Sequence, residues 1–73
     1  MIYEIKFLCN NDIYSVSLTL TEYILKRKTT DDIDSLLTDC INFEKEYHDL
    51  SDHEHIITEM RKSENGIDWI EMI

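Results

Sequence analysis

The chain predicts an α+β fold in the order ββααβ: an N-terminal antiparallel β-hairpin, two helices, and a C-terminal strand completing a three-stranded sheet. Three features carry this expectation. Apolar and polar side chains alternate with period two over residues 2–9 and 13–20, on either side of Asn10-Asn11. Residues 31–47 repeat apolar side chains at helical spacing behind an acidic first turn. Residues 67–73 return to a β-like run after Asn65-Gly66.

The hairpin follows from its turn. Asn tolerates positive φ, so a two-residue Asn10-Asn11 turn pairs Cys9 with Asp12. That register sets Phe7 opposite Tyr14, Ile5 opposite Val16 and Tyr3 opposite Leu18, all on one face. A slip by one residue sets apolar side chains against Ser15 and Ser17 instead. The opposite face carries Ile2, Leu8 and Ile13 beside Glu4, Lys6, Ser15 and Ser17, with Ile70 and Met72 as candidates to join it.

Residues 19–28 read two ways. Thr19 and Glu22 have capping-box spacing, whereas Thr21, Tyr23 and Leu25 extend the strand pattern; a short helical segment ending in Lys26-Arg27-Lys28 is preferred. Thr30 then caps a helix over 31–47, whose stripe is Ile33, Leu36, Leu37, Cys40, Ile41, Phe43 and Tyr47. Glu44 falls inside that stripe, either snorkelling or marking a displaced helix end. Ser51 and Glu54 repeat the capping-box spacing ahead of Ile56, Ile57 and Met60, which predicts a second helix to Lys62 stopped by Asn65-Gly66. With both helices on the Tyr3/Ile5/Phe7 face, the last strand adds beside the first and parallel to the second, through a right-handed crossover. A last strand beside the second is the alternative order.

At 73 residues the chain is the size of one small domain, with little material for both a core and an enclosed pocket. The net charge of −9 is unevenly placed, since residues 1–30 carry +1 and residues 31–73 carry −10. This field opposes direct nucleic-acid binding and complements a basic partner. Cys9 and Cys40 lack CxxC spacing and read as reduced, buried small hydrophobes. No signal-peptide pattern or membrane-length apolar run is present, so a cytoplasmic protein is expected, in the host cytoplasm if phage-encoded. The absence of Ala, Pro and Gln beside eleven Ile points to an AT-rich genome.

The string His48, Asp49, Asp52, His53, Glu54, His55 has metal-ligand colour without metal-ligand spacing, and reads as solvated junction residues rather than a metal site. One Gly excludes a Gly-rich phosphate loop, no Ser sits in a nucleophile elbow, and neither Cys has an electropositive setting. The expectation is therefore a protein with no enzymatic activity, cofactor or metal.

The acidic surface holds most of the functional content. Asp32, Asp39 and Glu46 share one helix flank at seven-residue steps, about 10.5 Å apart. Asp31 and Asp49 lie toward the outward face, and Asp52, Glu54 and Glu59 extend the field if the following helix packs alongside. These residues predict an inhibitor or regulator that binds a basic site on a protein, such as a nucleic-acid-binding protein, with no membrane or direct nucleic-acid contact. A homodimeric structural or adaptor domain, or an antitoxin or immunity protein, using the sheet face and edge strand is the alternative. In size and charge, though not in motif, the chain resembles small acidic phage inhibitors, anti-CRISPR proteins and DNA mimics among them, and bacterial antitoxins and immunity proteins.

Overall fold

Strands β1 (Ile2–Cys9) and β2 (Asp12–Thr19) pair antiparallel in the expected register, with Phe7 opposite Tyr14 and Cys9 opposite Asp12. Asn10 and Asn11 close the turn at φ 51° and 67°, the positive values a two-residue type I′ turn requires of both central residues. The computed structural model describes residues 1–27 and 29–73, together with the backbone but not the side chains of Tyr23 and Thr30. Lys28, the last residue of the expected basic helix end, lies outside the described residues.

Two helices follow the hairpin. The short helix α1 (Glu22–Arg27) begins after Thr21, whose Oγ1 accepts the Ile24 N–H at 3.4 Å, so the start is two residues later than Thr19. Helix α2 (Thr30–Tyr47) is capped by Thr29 rather than Thr30. Thr29 Oγ1 accepts the Asp32 N–H at 3.3 Å, and the Asp32 carboxylate accepts the Thr29 N–H at 2.9 Å. The reciprocal pair satisfies orphan donors at the helix start, with Asp32 taking the place of the more usual Glu or Gln.

The expected second helix over residues 51–62 is a strand. β3 (His55–Ser63) pairs antiparallel with β1 and therefore runs parallel to β2, with α1 and α2 in the crossover. The slot beside β1 exists as expected, but residues 55–63 fill it and the last segment does not. The last segment contributes only β4 (Ile70–Glu71), which pairs with β3. The result is a four-stranded antiparallel sheet in the order β2-β1-β3-β4 rather than three strands, and the alternative with the last strand beside β2 is overturned.

Two features had disguised β3 as a helix. A bulge between Lys6 and Phe7 in the β1–β3 register leaves Thr58 unpaired, so Ile57 and Met60, three apart, stand opposite Phe7 and Ile5 on the same face. That spacing imitates a helical stripe. Ser51, meanwhile, sits in a turn closed by the His53 N–H donating to the Leu50 carbonyl at 2.9 Å, and Glu54 follows it as irregular chain before β3, so the two form no capping box.

α2 covers the face of the hairpin carrying Tyr3, Ile5, Phe7 and Cys9, and the core continues into Leu20, Leu37, Ile41 and Leu50. Phe7 is fully enclosed. The other sheet face stays largely open. There Glu4 accepts from Arg61 Nε and Nη2 at 2.9 and 2.6 Å, and the Trp69 ring lies 4.1 Å from the Arg61 guanidinium.

α2 ends in a Schellman motif. The Leu50 N–H donates to the Lys45 carbonyl at 2.7 Å and the Asp49 N–H to the Glu46 carbonyl at 3.0 Å, while Asp49 takes φ 59°. This turn drives Leu50 into the core. It also makes Asp49 a backbone element where Gly is the easier residue, and puts its charge against the negative helix end. We expect Asp49→Gly to stabilise the protein by about 0.5–1 kcal/mol in urea unfolding, with Asp49→Asn giving only the smaller charge component. A less stable Asp49→Gly variant would contradict the left-handed cap.

Candidate functional site

β2 is the outer strand of the sheet, and no described strand pairs with its free edge. Which of its backbone groups face outward follows from the bonds at its end. The Leu20 N–H donates to the Met1 carbonyl at 2.8 Å and the Met1 nitrogen to the Leu20 carbonyl at 2.9 Å. Antiparallel pairs alternate, so Leu18, Val16, Tyr14 and Asp12 bond to β1 as Leu20 bonds to Met1. The N–H and C=O groups of Ile13, Ser15, Ser17 and Thr19 therefore point away from the sheet. Thr58 Oγ1 donating to the Lys6 carbonyl at 3.2 Å, from the β3 side of β1, fits the same parity.

Alongside this edge runs a groove of about 480 Å³, lined by residues 15–18 of β2 and by Leu36, Asp39, Cys40, Phe43 and Glu44 of α2. Its helical wall is the part of the apolar stripe that the sheet leaves uncovered. Leu36 and Cys40 are half-buried, whereas Phe43 is 72% and Tyr47 76% exposed. Burial in the groove, reinforced by Asp39, pushes the Cys40 thiol up, away from a reactive thiolate. Cys9 is buried in the core as expected, but Cys40 is a groove residue.

Glu44, the acid inside the stripe, is partnered. Its Oε1 lies 2.9 Å from His48 Nε2, and the His48 ring lies 4.7 Å from that of Tyr14, which stacks in turn on Phe7 at 5.7 Å. Glu44 thus places a carboxylate in the lining of the groove, joined to the core by rings.

The sequence-derived acids divide among three places. Asp31, Asp32, Asp39 and Glu46 are exposed on α2, with Asp39 lining the groove and the seven-residue spacing holding Asp32 and Glu46 on its flank. Asp32 also serves the cap, and Asp49 the Schellman turn. Asp52 and Glu54 are exposed in the link before β3, not on a helix. Glu59 leaves the acidic face altogether, because β3 carries it to the open side of the sheet, 3.5 Å from Lys6.

From sequence, Ser15 and Ser17 belong to the open sheet face of the alternative reading, and Leu36, Cys40 and Phe43 to the helix stripe; none of the five is expected in a groove. One signal pointed further. At 100° per residue the stripe from Phe43 to Ile41 spans about 160°, wider than the roughly 100° that one sheet face covers.

The histidines are dispersed as well. His53 is exposed, His48 sits on Glu44, and His55 meets the edge of Phe7 at 5.7 Å. Among the described residues no three His, Cys, Asp or Glu side chains gather as a metal site, and no helix is long and apolar enough to cross a membrane. No protein-family model, curated protein or solved structure matches the chain.

The buried Lys45 reaches His55, its Nζ standing 3.2 Å from Nδ1. The ammonium can only donate, so His55 accepts at Nδ1 and is neutral. Burial, and then the Lys45 charge, hold its pKa below the ordinary histidine value of 6.5. A base with a depressed folded-state pKa gives stability that is full above its unfolded pKa and is lost as pH falls from there through the folded value. We expect urea-unfolding stability to decline as pH falls below about 6.5, with a shallower decline for His55→Gln, whose amide oxygen still accepts from Lys45. Equal slopes for the two proteins would remove His55 as the cause.

Proposed function

We propose that the protein is a non-enzymatic inhibitor or regulator that docks the acidic flank of α2 onto a basic site of a partner protein. One observation carries this reading: Asp39, the middle acid of the Asp32, Asp39 and Glu46 column, lines an uncovered apolar groove together with Glu44, so charge and apolar contact area lie side by side. Binding sites join these properties, since charge steers encounter and sets specificity while apolar burial supplies affinity. A purely solvating face has no use for the half-buried Leu36 and the exposed Phe43 beside it.

The acidic steps of about 10.5 Å are far sparser than the roughly 1.7 Å charge repeat of duplex DNA. The basic target is therefore better met by a few matched residues than by wholesale imitation of a duplex. Small size, strong acidity and an Ile-rich composition without Ala, Pro or Gln, as an AT-rich genome encodes, support a phage counter-defence or host-takeover setting of the anti-CRISPR or DNA-mimic type, acting in the host cytoplasm.

A second reading has its own observation. On the uncovered sheet face Leu8 stands between Ile13 and Ile56 in adjacent strands, and Ile13 and Ile56 are 58% and 65% exposed. This row favours a homodimeric structural or adaptor domain, or an antitoxin or immunity protein, that buries the sheet face.

Salt separates the two. We expect partner capture to weaken steeply between about 50 mM and about 500 mM salt, and to weaken likewise in the folded Asp32→Asn/Asp39→Asn/Glu46→Gln variant at low salt. The check is affinity capture with mass spectrometry at both ionic strengths. Capture by the triple variant at the wild-type level would sink the acidic-flank reading, and self-association strengthened by salt would favour the sheet face.

A further inference from the structure

We infer that the free edge of β2 is a strand-addition site, taking an extended segment of the partner with alternating apolar side chains flanked by Lys or Arg. The inference rests on the basic-partner reading above and specifies how that partner is held. Four observations lead to it.

The edge is long and unprotected. β2 presents eight residues, Asp-Ile-Tyr-Ser-Val-Ser-Leu-Thr, with no Pro, Gly or Lys and with Asp12 at its start as the one charged side chain. Its pairing with β1 has no register shift. Edge strands are ordinarily blunted by shortness, by Lys or Pro, by bulges or by a covering element. The opposite side of the sheet shows such protection, since β3 is bulged and β4 with the Met72 N–H covers part of its edge. Among the described residues β2 has none of these devices.

The edge also offers bonding groups in regular array. The outward N–H and C=O groups of Ile13, Ser15, Ser17 and Thr19 are the half-ladder that an incoming strand completes.

Third, the groove lies where the added strand places its side chains. Ser15 and Ser17 share the groove lining with Leu36, Cys40 and Phe43, so the site has the bonding edge on one wall and apolar side chains on the other. A strand seated about 4.8 Å outside β2 directs alternate side chains toward α2, which the apolar wall receives, and the others toward the open sheet face. Backbone pairing gives affinity and alternate side chains give specificity.

Charge then selects the occupant. Asp39 and Glu44 line the groove, and the net charge of the chain is −9, so cationic ends on the segment are complementary. A second copy of the chain meets the reverse condition. Pairing β2 with another β2 about a two-fold axis keeps both helices on the same side and sets their Asp39 flanks toward each other, like charge against like.

The test uses the intact protein and a fluorescein-labelled peptide with a Val-Thr-Val-Thr-Val centre and lysine pairs at both ends, followed by fluorescence anisotropy. We expect saturable, salt-sensitive binding, weakened about tenfold by Ser17→Pro. This proline deletes an outward N–H but no bond to β1, a placement that edge strands tolerate. Should Ser17→Pro fail to unfold cooperatively, peptide N-methylation on wild-type protein replaces it. Methylating the amides along one peptide edge should abolish binding, and methylating those along the other should leave it within about twofold. Glutamate pairs in place of the lysines should also abolish binding.

Failure of the lysine peptide to bind overturns the inference, as does equal tolerance of methylation on both edges or undiminished binding by folded Ser17→Pro. A concentration-dependent dimer in sedimentation that Ser17→Pro dissolves assigns the edge to a second copy and equally overturns it. If the acid-neutralised triple variant still loses partner capture while the edge probes fail, strand addition alone is wrong. If the triple variant captures normally, the underlying basic-partner reading has failed.

Discussion

Everything in this fold depends on the double pairing of β1. Its N–H and C=O groups are bonded to β2 on one side and β3 on the other, while Tyr3, Ile5, Phe7 and Cys9 face α2 and the core. A strand bonded on both edges and covered on one face has no freedom of register, because a one-residue slip would turn Phe7 into solvent and bring Lys6 into the core. From this follows the position of the other parts. β2 becomes the outer strand, α2 must lie over the hairpin, and the link through Leu50 must return the chain across the sheet to β3. The Schellman turn at Asp49 makes that return, and Leu50 anchors it.

The same geometry fixes where charge and uncovered apolar surface lie. The hairpin is nearly neutral, whereas α2 carries Asp31, Asp32, Asp39 and Glu46, with Asp39 and Glu44 lining the groove beside β2. A helix stripe about 160° wide cannot be covered by one sheet face, so part of it remains open as the wall of a groove. In a domain this small, self-repulsion from a charge of −9 works against compaction. The domain offsets this with satisfied burial: the described buried side-chain polar atoms all have partners, and Lys45 and Ser63 are held by His55 and by the 65–66 turn.

The hairpin and α2 were legible in the sequence because their determinants are local. Asn10-Asn11 sets the turn, the alternation from Tyr3 to Leu18 sets the register, and a Thr and Asp pair sets the helix start, displaced by one residue from Thr30 to Thr29. β3 was not legible, because its decisive partner lies about fifty residues away along the chain and its bulge gives Ile57 and Met60 a helix-like spacing. The β-branched run Ile56-Ile57-Thr58 is the local feature that favours a strand over the helix suggested by Ser51 and Glu54. Of the candidate site, the Asp32, Asp39 and Glu46 flank could be read from periodicity. The groove beside it could not, since which side of a helix stays uncovered depends on where the helix rests on the sheet. Glu59 went astray for the same reason as β3, a strand having been read as a helix.

β2 holds β1 with one set of backbone groups and leaves the alternate set open. Native-state amide exchange of the free protein, followed residue by residue by NMR, tests it directly. The N–H groups of Ile13, Ser15 and Ser17 should exchange fast, while those of Tyr14, Val16 and Leu18 are protected to nearly the level of the β1 amides. Uniform protection along β2 would contradict it, because the outer edge would then already be paired or covered.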